Sequence, residues 1–413
     1  MSTNKTVLIS LIGKGSIIEE SKGYRKAKYY FNETQDVVYT SFFGSALYEI
    51  LIKQGYEIDK WLIFGTSKSN WSELLHVVDE KYHDEMIELY DTVYDIEKDN
   101  KEIPPSLLLK WQETLQNYIS GIRLILVSPK DYEIYIDHMI NEIPNDKRNI
   151  VLDITHAFRH MPVIIAFSLM ALKHIKDISK IMVYYGAFEL KENRFDNEEP
   201  TPVLNIDFIN KLVSYGENLA IFSNSGYFPN ILEDLDISGT DETYFWIEMN
   251  RQPRKDLESI NERLYGKIIE KNHQSKIAEY IKREMEPLIG ASLHRRMVER
   301  ARFFFEKKQY LKSLILLYEG LIIAIGRKHG IESGQDYENN QKIREYIRDN
   351  KRTIFKDKKQ MELYYNLEYT RNAAVHGARS RGIQNYVEQQ EQFETLFKSG
   401  LEIYEYITGE GLC

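Results

Sequence analysis

The chain has 413 residues and a formal net charge of −9, and 43% of its residues are hydrophobic. This length allows two or three domains, and this hydrophobic share excludes a disordered chain. No window approaches about 18 consecutive apolar residues, so we expect no membrane contact. The one cysteine, Cys413, excludes an intrachain disulfide and a cysteine-rich zinc site, and it fits a cytoplasmic protein.

The first 205 residues alternate between strand-like and helix-like segments. The segment TVLISLI (6–12) predicts a buried strand followed by a glycine turn, and its short apolar run argues against a signal peptide. This alternation predicts a mostly parallel sheet with helices on both faces and ligands beyond the C-terminal strand ends. The predicted strands are 6–12, 24–31, 36–43, 59–66, 122–129, 148–155 and 179–189. The predicted helices are 44–54, most of 70–118 with a new start at Pro104 and Pro105, and 158–175, which is apolar enough to be largely buried.

From about Ile206 the strand signals vanish and long amphipathic helical segments follow. From Ala291 onward the chain carries 21 basic and 17 acidic residues, whereas the remainder carries 33 and 46. A mildly basic C-terminal part could contact a phosphate backbone, although charge alone favours a solvated helical surface.

The loop after the first strand contains Gly13, Lys14, Gly15 and Ser16. It does not match the dinucleotide fingerprint, because Ile18 stands where the third glycine belongs, and it does not match the phosphate-binding loop. Backbone N–H groups and a lysine at a strand end suit an anionic ligand. A plain tight turn is the alternative interpretation.

The segment LDITHAFRHMP (152–162) follows a predicted strand and opens a helix. Thr155 could cap that helix, and Arg159, one turn along, could bind a phosphate through two hydrogen bonds. His156 and His160 have the i, i+4 spacing of metal ligands, but the segment lacks the glutamate of the zinc motif and an obvious third ligand. A polar helix start with a satisfied histidine is a third interpretation.

A further polar loop, FGTSKSNW (64–71), follows another core strand. Thr66, Ser67, Lys68 and Asn70 would lie on the same rim of the sheet as the two loops already described. Three donor-rich loops at one rim predict a single anionic or nucleotide-like ligand.

Near the C-terminus, TRNAAVHGARSRG (370–382) places Arg371 five residues before His376. On a continuous helix these positions lie about 140° apart, so they converge only if the helix starts or breaks between them or if two chains build the site. If they converge, His376 could act as general acid or base on an RNA 2′-hydroxyl. Arg371 could stabilise the phosphorane, and Asn372 could orient the phosphate. Such chemistry needs no metal and leaves a 2′,3′-cyclic phosphate.

Several segments together resemble the CRISPR-associated CARF–HEPN ribonucleases of type III systems, the Csx and Csm ancillary ribonucleases. At the N-terminus these are SLIGKGS, KGYRKAKYYF and YTSFFGSAL. LDITHAFRHMP is similar to the D-[IL]-T-H-x-[FL]-R signature of one CARF branch. RNAAVH fits the Arg-x4–6-His motif of HEPN domains, and YEGLIIAIGRKHG resembles the preceding HEPN helix.

The resemblance implies a Rossmann-like α/β CARF sensor at 1–205, an all-α helical connector at 206–290 and a helical HEPN ribonuclease domain at 291–413. It implies a cytoplasmic homodimer that cleaves single-stranded RNA in antiviral defence when a cyclic oligoadenylate binds, with cyclic tetra-adenylate the first choice of activator and cyclic hexa-adenylate the second. The catalytic residues would be Arg371, Asn372 and His376. By position, the activator contacts would be Gly13, Lys14, Gly15, Ser16, Thr66, Ser67, Asn70, Thr155, His156 and Arg159.

Some CARF domains degrade their own activator, and Thr155 and His156 would be the candidates for that activity. The leading alternative is a CARF ligand-sensing, regulatory dimer whose HEPN domain is inactive. A transcriptional regulator is disfavoured by the acidic net charge and by the lack of a helix-turn-helix with a basic face. A metal hydrolase built on His156 and His160 would be inhibited by EDTA.

Overall fold

The computed structural model describes residues 5–15, 24–193, 198–249, 251, 253–289, 292–331, 337–377 and 382–411. The expected ligand residue Ser16, together with Cys413, lies outside the described residues. The chain divides into two compact units, Met1–Val213 and Ser214–Cys413.

The N-terminal unit is built on one mixed sheet, whose eight strands within the described residues have the order β3-β2-β8-β7-β6-β1-β4-β5. Five neighbouring pairs are parallel, and only the pairs β2–β3 and β7–β8 within these residues are antiparallel. The strands are β1 Lys5–Ile12, β2 Ala27–Phe31, β3 Asp36–Thr40, β4 Glu57–Gly65, β5 Ile122–Leu126, β6 Arg148–Asp153, β7 Ile178–Gly186 and β8 Thr201–Asn205.

Helices cover both faces of this sheet, which confirms the predicted α/β class. Successive residues of β1 point to opposite faces, so Leu8 packs in one core while Val7 and Ile9 pack in another. Residues of α1, α2 and α3 belong to the first core, and residues of α4 and α5 belong to the second. These helices are α1 Phe43–Lys53, α2 His83–Lys98, α3 Pro105–Gln116, α4 Glu133–Glu142 and α5 His160–Leu172. Short 3-10 helices lie at Trp71–Val77, Glu80–Tyr82 and Phe188–Leu190.

Helix α5 is more exposed than its apolar sequence predicts. Its residues Ile165 and Leu169 are completely buried, but Val163 and Phe167 on the opposite side are 54% and 67% exposed. The prediction that this helix is largely buried is therefore correct for one of its faces, whereas the other face is exposed in a single chain. A helix that is apolar all round is normally covered on both sides, so the exposed face needs a separate explanation.

The described residues from 206 onward form helices and no strand. From Tyr215 onward the buried apolar side chains of these residues form one continuous core, and α12 lies at its centre, packed against α11, α13, α14 and α16. The helices are α6 Phe208–Ser225, α7 Pro229–Asp234, α8 Asp241–Glu248, α9 Arg254–Ile269, α10 His273–Met285, α11 Leu293–Glu306, α12 Tyr310–Lys328, α13 Tyr337–Ile354, α14 Lys358–His376, α15 Gln384–Glu388 and α16 Gln390–Thr408. A 3-10 helix, Glu286–Ile289, precedes α11.

Candidate functional site

The strand order places the ends of β1 and β6 at the switch point of the sheet. Strand β1 pairs with β4 on one side and with β6 on the other, so the loops that follow β1 and β6 diverge to opposite faces. In open α/β sheets a crevice forms at that point, beyond the C-terminal strand ends, and it is the usual ligand site. In this chain the two loops begin at Gly13 and Ile154.

A cavity of about 480 Å³ lies at this switch point. Five of the expected ligand residues line it: Gly13, Lys14, Gly15, Thr155 and His156. The other lining residues are mainly aromatic or polar: Tyr24, Arg25, Tyr29, Ser41, Ala157, Phe158, Tyr185, Gly186, Phe188 and Glu189. The loops after β1 and β6 thus face one shared space.

Gly13 occupies a position that tolerates no side chain. A Cβ there would lie 2.7 Å from the Cα of Ala157, in the loop after β6. The Gly13 N–H donates to the Tyr24 oxygen at 3.0 Å, the Tyr24 hydroxyl donates to the Gly13 carbonyl, and the Asn70 N–H donates to that carbonyl at 2.9 Å. Ala157 itself has a φ of 81°, a backbone conformation that is uncommon outside glycine. The two loops therefore touch through their backbones at the base of the cavity.

His156 is held as a neutral hydrogen-bond acceptor. Its Nε2 accepts the Phe43 N–H at 3.3 Å, and its ring stacks on Tyr24 with 4.9 Å between the centroids. Burial lowers the pKa of His156 to about 4, because a charged imidazolium would lose its hydration. Since Nε2 accepts, the proton of the neutral ring lies on Nδ1. His156 therefore offers a hydrogen-bond donor rather than a positive charge.

Thr155 does not cap a helix, because α5 begins five residues later, at His160. Its hydroxyl oxygen instead accepts the Gly186 N–H at 2.9 Å, which joins the ends of β6 and β7. Its own N–H donates to Asp153 at 2.8 Å. Asp153 is completely buried, and burial raises the pKa of its carboxyl group to about 7 despite this hydrogen bond.

The loop 66–70 does not line the cavity but holds neighbouring segments in place. Of the expected ligand residues that the structure describes, Thr66, Ser67 and Asn70 do not line the cavity. The Thr66 N–H donates to Ser69 Oγ at 2.9 Å, and the Ser69 hydroxyl donates to the carbonyl of Ile12 at 2.8 Å. The Ser67 carbonyl accepts the N–H of Ile103 at 2.8 Å. The hydrogen bond of Ser69 holds this loop to the end of β1, and that of Ser67 holds it to the segment before α3.

Arg159 is exposed at the N-terminus of α5 and is also outside the described cavity lining. It does influence a lining residue electrostatically, because its charge lowers the pKa of Tyr185, although burial and Glu189 raise that pKa to about 12 overall. The Lys14 ammonium group donates to the side-chain oxygen of Asn100. Arg159 therefore lies near the cavity without lining it.

The two histidines with metal-ligand spacing bind different partners. The ring of His160 contacts the Pro129 carbonyl at 2.9 Å through Nε2, whereas His156 accepts from Phe43. Among the described residues, no group of three or more His, Cys, Asp or Glu side chains could hold a metal ion. The rings of His156 and His160 thus each form a hydrogen bond with a different part of the backbone.

In the C-terminal unit, Arg371 belongs to a charged cluster between α12, α13 and α14. Its Nη2 donates to Glu319 Oε1 at 2.7 Å, and Arg344 donates to the same oxygen at 2.9 Å. Both guanidinium groups lie over the ring of Tyr318, at 5.2 and 5.7 Å from its centroid. Neither Nε atom has a hydrogen-bond partner among the described residues. One carboxylate thus binds both arginines, and a second carboxylate, that of Glu368, hydrogen-bonds to the Tyr318 hydroxyl beside them, so the two positive charges of the cluster are balanced.

His376 does not meet Arg371 within one chain. Helix α14 continues without interruption through both residues and ends at His376, and Gly377 follows with a left-handed φ of 60°. Arg371 faces α12, whereas His376 is exposed at the helix end. Asn372 accepts from Arg371 Nη1 at 2.8 Å. The expected angular separation of about 140° therefore applies.

Residues 7–191 match the family model described as "CRISPR system endoribonuclease Csx1, CARF domain". The N-terminal unit contains a CARF domain. A CRISPR-associated protein of Methanocaldococcus jannaschii is 28% identical over 206 residues, an alignment that spans 45% of this chain and 31% of that protein. The chain therefore covers about a third of the length of this relative.

The CARF match confirms the resemblance for the N-terminal unit, and its boundaries enclose the whole cavity at the switch point. Cyclic oligoadenylates are the ligands of CARF domains in general. In the described part of the chain, no helix is both long enough and apolar enough to cross a bilayer.

Several lining residues of the CARF cavity are absent from the sequence-based set. Tyr24 and Arg25 lie just before β2, Tyr185 lies at the end of β7, and Phe188 begins the 3-10 helix that follows it. The arginine lies over the phenylalanine ring at 5.4 Å. The end of β7 lies next to the end of β6 in the sheet. Because ligands bind beyond the strand ends, Tyr185 could have been predicted as a lining residue from the sequence.

Proposed function

We propose that this chain is a ribonuclease of type III CRISPR defence, activated by a cyclic oligoadenylate and active in the cytoplasm without a metal ion. The observation that carries the proposal is the presence, in one chain, of a CARF domain and of a helix that bears Arg371 and His376. In this proposal residues 1–205 sense the activator, 206–290 connect, and 291–413 form a HEPN domain that cleaves single-stranded RNA.

The activator would bind in the CARF cavity. The backbone N–H groups of Lys14 and Gly15 and the Nδ1–H of His156 would supply donors for phosphate oxygens, and Tyr24 and Phe158 would supply flat surfaces for adenine. Arg159, Thr66, Ser67 and Asn70 remain proposed contacts for the parts of the ring outside the cavity. A cavity of about 480 Å³ suits one small ligand, whereas a ring of four adenylates is larger. Two copies of the cavity, facing each other, would accommodate the ring.

A homodimer would supply those two copies. The exposed apolar residues Val163 and Phe167 of α5 follow directly after the loop that carries Thr155 and His156. Joining two such faces would bury apolar surface and bring the two cavities together. Cyclic tetra-adenylate is our first choice of activator, and cyclic hexa-adenylate is the second.

In the C-terminal unit of the dimer, both Arg371–His376 pairs would meet at one composite site. His376 would exchange a proton with the RNA 2′-hydroxyl, Arg371 would stabilise the charged phosphorane and Asn372 would orient it. The attack of the 2′-oxygen on phosphorus forms the 2′,3′-cyclic phosphate as the 5′-oxygen of the next nucleotide leaves with a proton. Activator binding would shift the dimer towards this arrangement.

A second activity and an alternative function can also be tested. If the CARF domain also cleaves its activator, Thr155 and His156 are the candidates for that reaction. The alternative function, a ligand-sensing dimer with an inactive HEPN domain, is favoured by one observation: in the single chain, Arg371 is bound to Glu319 and faces away from His376.

The deciding experiment is cleavage of a fluorescent single-stranded RNA in EDTA, with and without cyclic tri-, tetra- and hexa-adenylate. We expect one ring size to switch cleavage on. His376→Ala should abolish cleavage and leave activator affinity unchanged, whereas Arg159→Ala should weaken activation. A folded dimer that binds an activator but cleaves no RNA would establish the regulatory alternative, and inhibition by EDTA would contradict the metal-independent mechanism.

A further inference from the structure

A second cavity, of about 300 Å³, lies against α14 in the C-terminal unit. It is enclosed by the start of α12, by Thr370 and Ala374 of α14, by α15 and by the start of α16. Nothing in the motifs of the sequence points to it. Its position beside the helix that carries Arg371 makes its chemistry relevant to the substrate.

Thr370 gives this cavity an unused polar group. The side chain is only 1% exposed, and its hydroxyl oxygen has no hydrogen-bond partner among the described residues. A buried hydroxyl without a partner costs free energy that a bound ligand can recover by forming the missing hydrogen bond. That oxygen has almost no accessible surface at the wall of the cavity, so a ligand forms this hydrogen bond when the Thr370 side chain rotates about its Cα–Cβ bond.

The walls of the cavity are aromatic and held in place. Tyr310, Tyr386 and Phe393 line it, and the rings of Tyr310 and Phe393 meet edge to face with 5.3 Å between centroids. The amide of Gln390 donates to the Tyr310 oxygen at 2.9 Å, which fixes that ring. Flat, pre-oriented aromatic surfaces are the groups on which nucleobases stack.

The charge of the lining excludes a phosphate as the bound group. Among the described lining residues there is no lysine or arginine, and Glu388 is the one that carries a formal charge. A carboxylate repels phosphate, but it accepts hydrogen bonds from amino or imino N–H groups. A neutral, flat group with N–H donors, such as a nucleobase, fits this combination.

The cavity is also adjacent to the candidate catalytic residues. Thr370 precedes Arg371, so their side chains leave α14 about 100° apart with an axial separation of only about 1.5 Å. A phosphate bound by Arg371 would therefore have a neighbouring base within reach of Thr370.

From these observations we propose that this cavity is a nucleobase subsite, which binds the RNA base next to the scissile phosphate and sets the sequence preference of cleavage. The inference rests on the proposed ribonuclease function and adds the substrate group that the protein reads. Thr370 and Tyr386 are the residues that would determine specificity.

The first test compares Thr370→Val and Tyr386→Ala with wild type on a pool of RNAs of random sequence, with activator in excess. We expect about a tenfold rise in KM, little change in kcat and a flattened base preference beside the cleaved bond. Thr395→Val and Tyr406→Ala are matched controls on α16, outside the cavity lining, and should behave like wild type. Unchanged KM and base preference in both cavity variants, with wild-type cleavage intact, would refute the subsite and leave the ribonuclease function standing.

The second test does not depend on catalysis. His376→Ala protein is titrated into short RNAs that carry a single 2-aminopurine, whose fluorescence falls when the base stacks on an aromatic ring. We expect quenching that is lost when Tyr386→Ala is added to His376→Ala and retained when Tyr406→Ala is added instead. Equal quenching in all three proteins, or none in any, would overturn the subsite. If wild type cleaves no RNA, the proposed function fails and this binding assay still decides the subsite.

Discussion

Glu319 is the residue on which the candidate ribonuclease site depends. It accepts hydrogen bonds from both Arg371 and Arg344, and it is only 12% exposed, so little water competes for the pair. Removing one partner of a shielded ion pair leaves the remaining charges without compensation. The carboxylate therefore determines where the guanidinium group of Arg371 points.

We predict that Glu319→Gln lowers the single-turnover rate of RNA cleavage about tenfold or more at saturating activator, because the two arginines lose their shared anchor. Glu248→Gln is the matched control, since Glu248 binds Lys312 at 2.6 Å on the same helix α12. An equal effect of both variants on cleavage would show that the loss reflects general destabilisation rather than the position of Arg371.

Asp153 makes the stability of the CARF domain depend on pH. Burial raises the pKa of its carboxyl group to about 7, above the value of 3.8 for a solvated carboxyl. The folded state therefore holds the proton more tightly than the unfolded state, by roughly 1.4 kcal/mol per pKa unit. That stabilisation is complete below about pH 4 and is lost as the pH rises through about 7.

We predict that Asp153→Asn removes this pH-dependent loss of stability. As the pH rises from about 5 to about 8, the free energy of unfolding of the variant should therefore increase relative to that of wild type. The measurement is the urea midpoint of the CARF unfolding transition at both pH values in the full chain. Asp137→Asn, at an exposed position of α4, is the control and should follow wild type. A difference between Asp153→Asn and wild type that is the same at both pH values would contradict a titrating Asp153.

At the scale of elements, buried apolar runs are what the sequence predicts best. The strands β1, β4 and β6 are such runs, and parallel pairing then brings the loops after them to one rim. Strand β8 is harder to foresee, because TPVLN is short, contains a proline and has two exposed residues. Its pairing with β7 and β2 depends on residues far away in the chain.

The direction of a side chain is less predictable than the position of its loop. Thr155 and His156 line the cavity as their place after β6 predicts, but the Thr66 hydroxyl contacts Ser69 Oγ within its own loop. Arg159 lies just before α5 rather than in its first turn, because the helix begins at His160, four residues later than a cap at Thr155 would place it. The spacing of residues in the sequence does not show whether a polar side chain will bind a ligand or will hydrogen-bond to the nearby chain instead.

Among the helices of the C-terminal unit, the contact between α11 and α12 is set by a glycine. A Cβ at Gly320 of α12 would lie 2.7 Å from the Val298 side chain of α11. The two helices therefore approach more closely than any larger residue would allow, and α12 also carries Tyr318 and Glu319.

We predict that Gly320→Ala destabilises the C-terminal unit by about 1–3 kcal/mol, because the added methyl group forces the packed helices apart. Gly266→Ala is the contrasting variant: nothing lies within 4 Å of its Cβ position on α9, so the better helix former should stabilise by about 0.5–1 kcal/mol. Guanidinium unfolding measures both. A loss of stability of the same size in the two variants would mean that the α11–α12 contact is not the cause.

At the scale of the whole molecule, the proposed activator site and the proposed ribonuclease site are each incomplete in one chain. The CARF cavity is too small for a ring of four adenylates, and Arg371 and His376 point in different directions. A two-fold assembly of the kind proposed above would complete both sites, and it would bury the apolar face of α5. Assembly and activation should therefore fail together when that face is changed.

We predict that Phe167→Glu converts a dimer into a monomer and abolishes activator-dependent RNA cleavage, because it places a charge on the apolar face of α5, where Phe167 is 67% exposed. Sedimentation velocity over a range of protein concentrations measures the change in mass. Leu109→Glu, at a 54% exposed position of α3, is the matched control and should remain dimeric and active. A Phe167→Glu protein that stays dimeric would place the two-fold contact elsewhere, and a monomer with full activity would show that each chain carries a complete ribonuclease site.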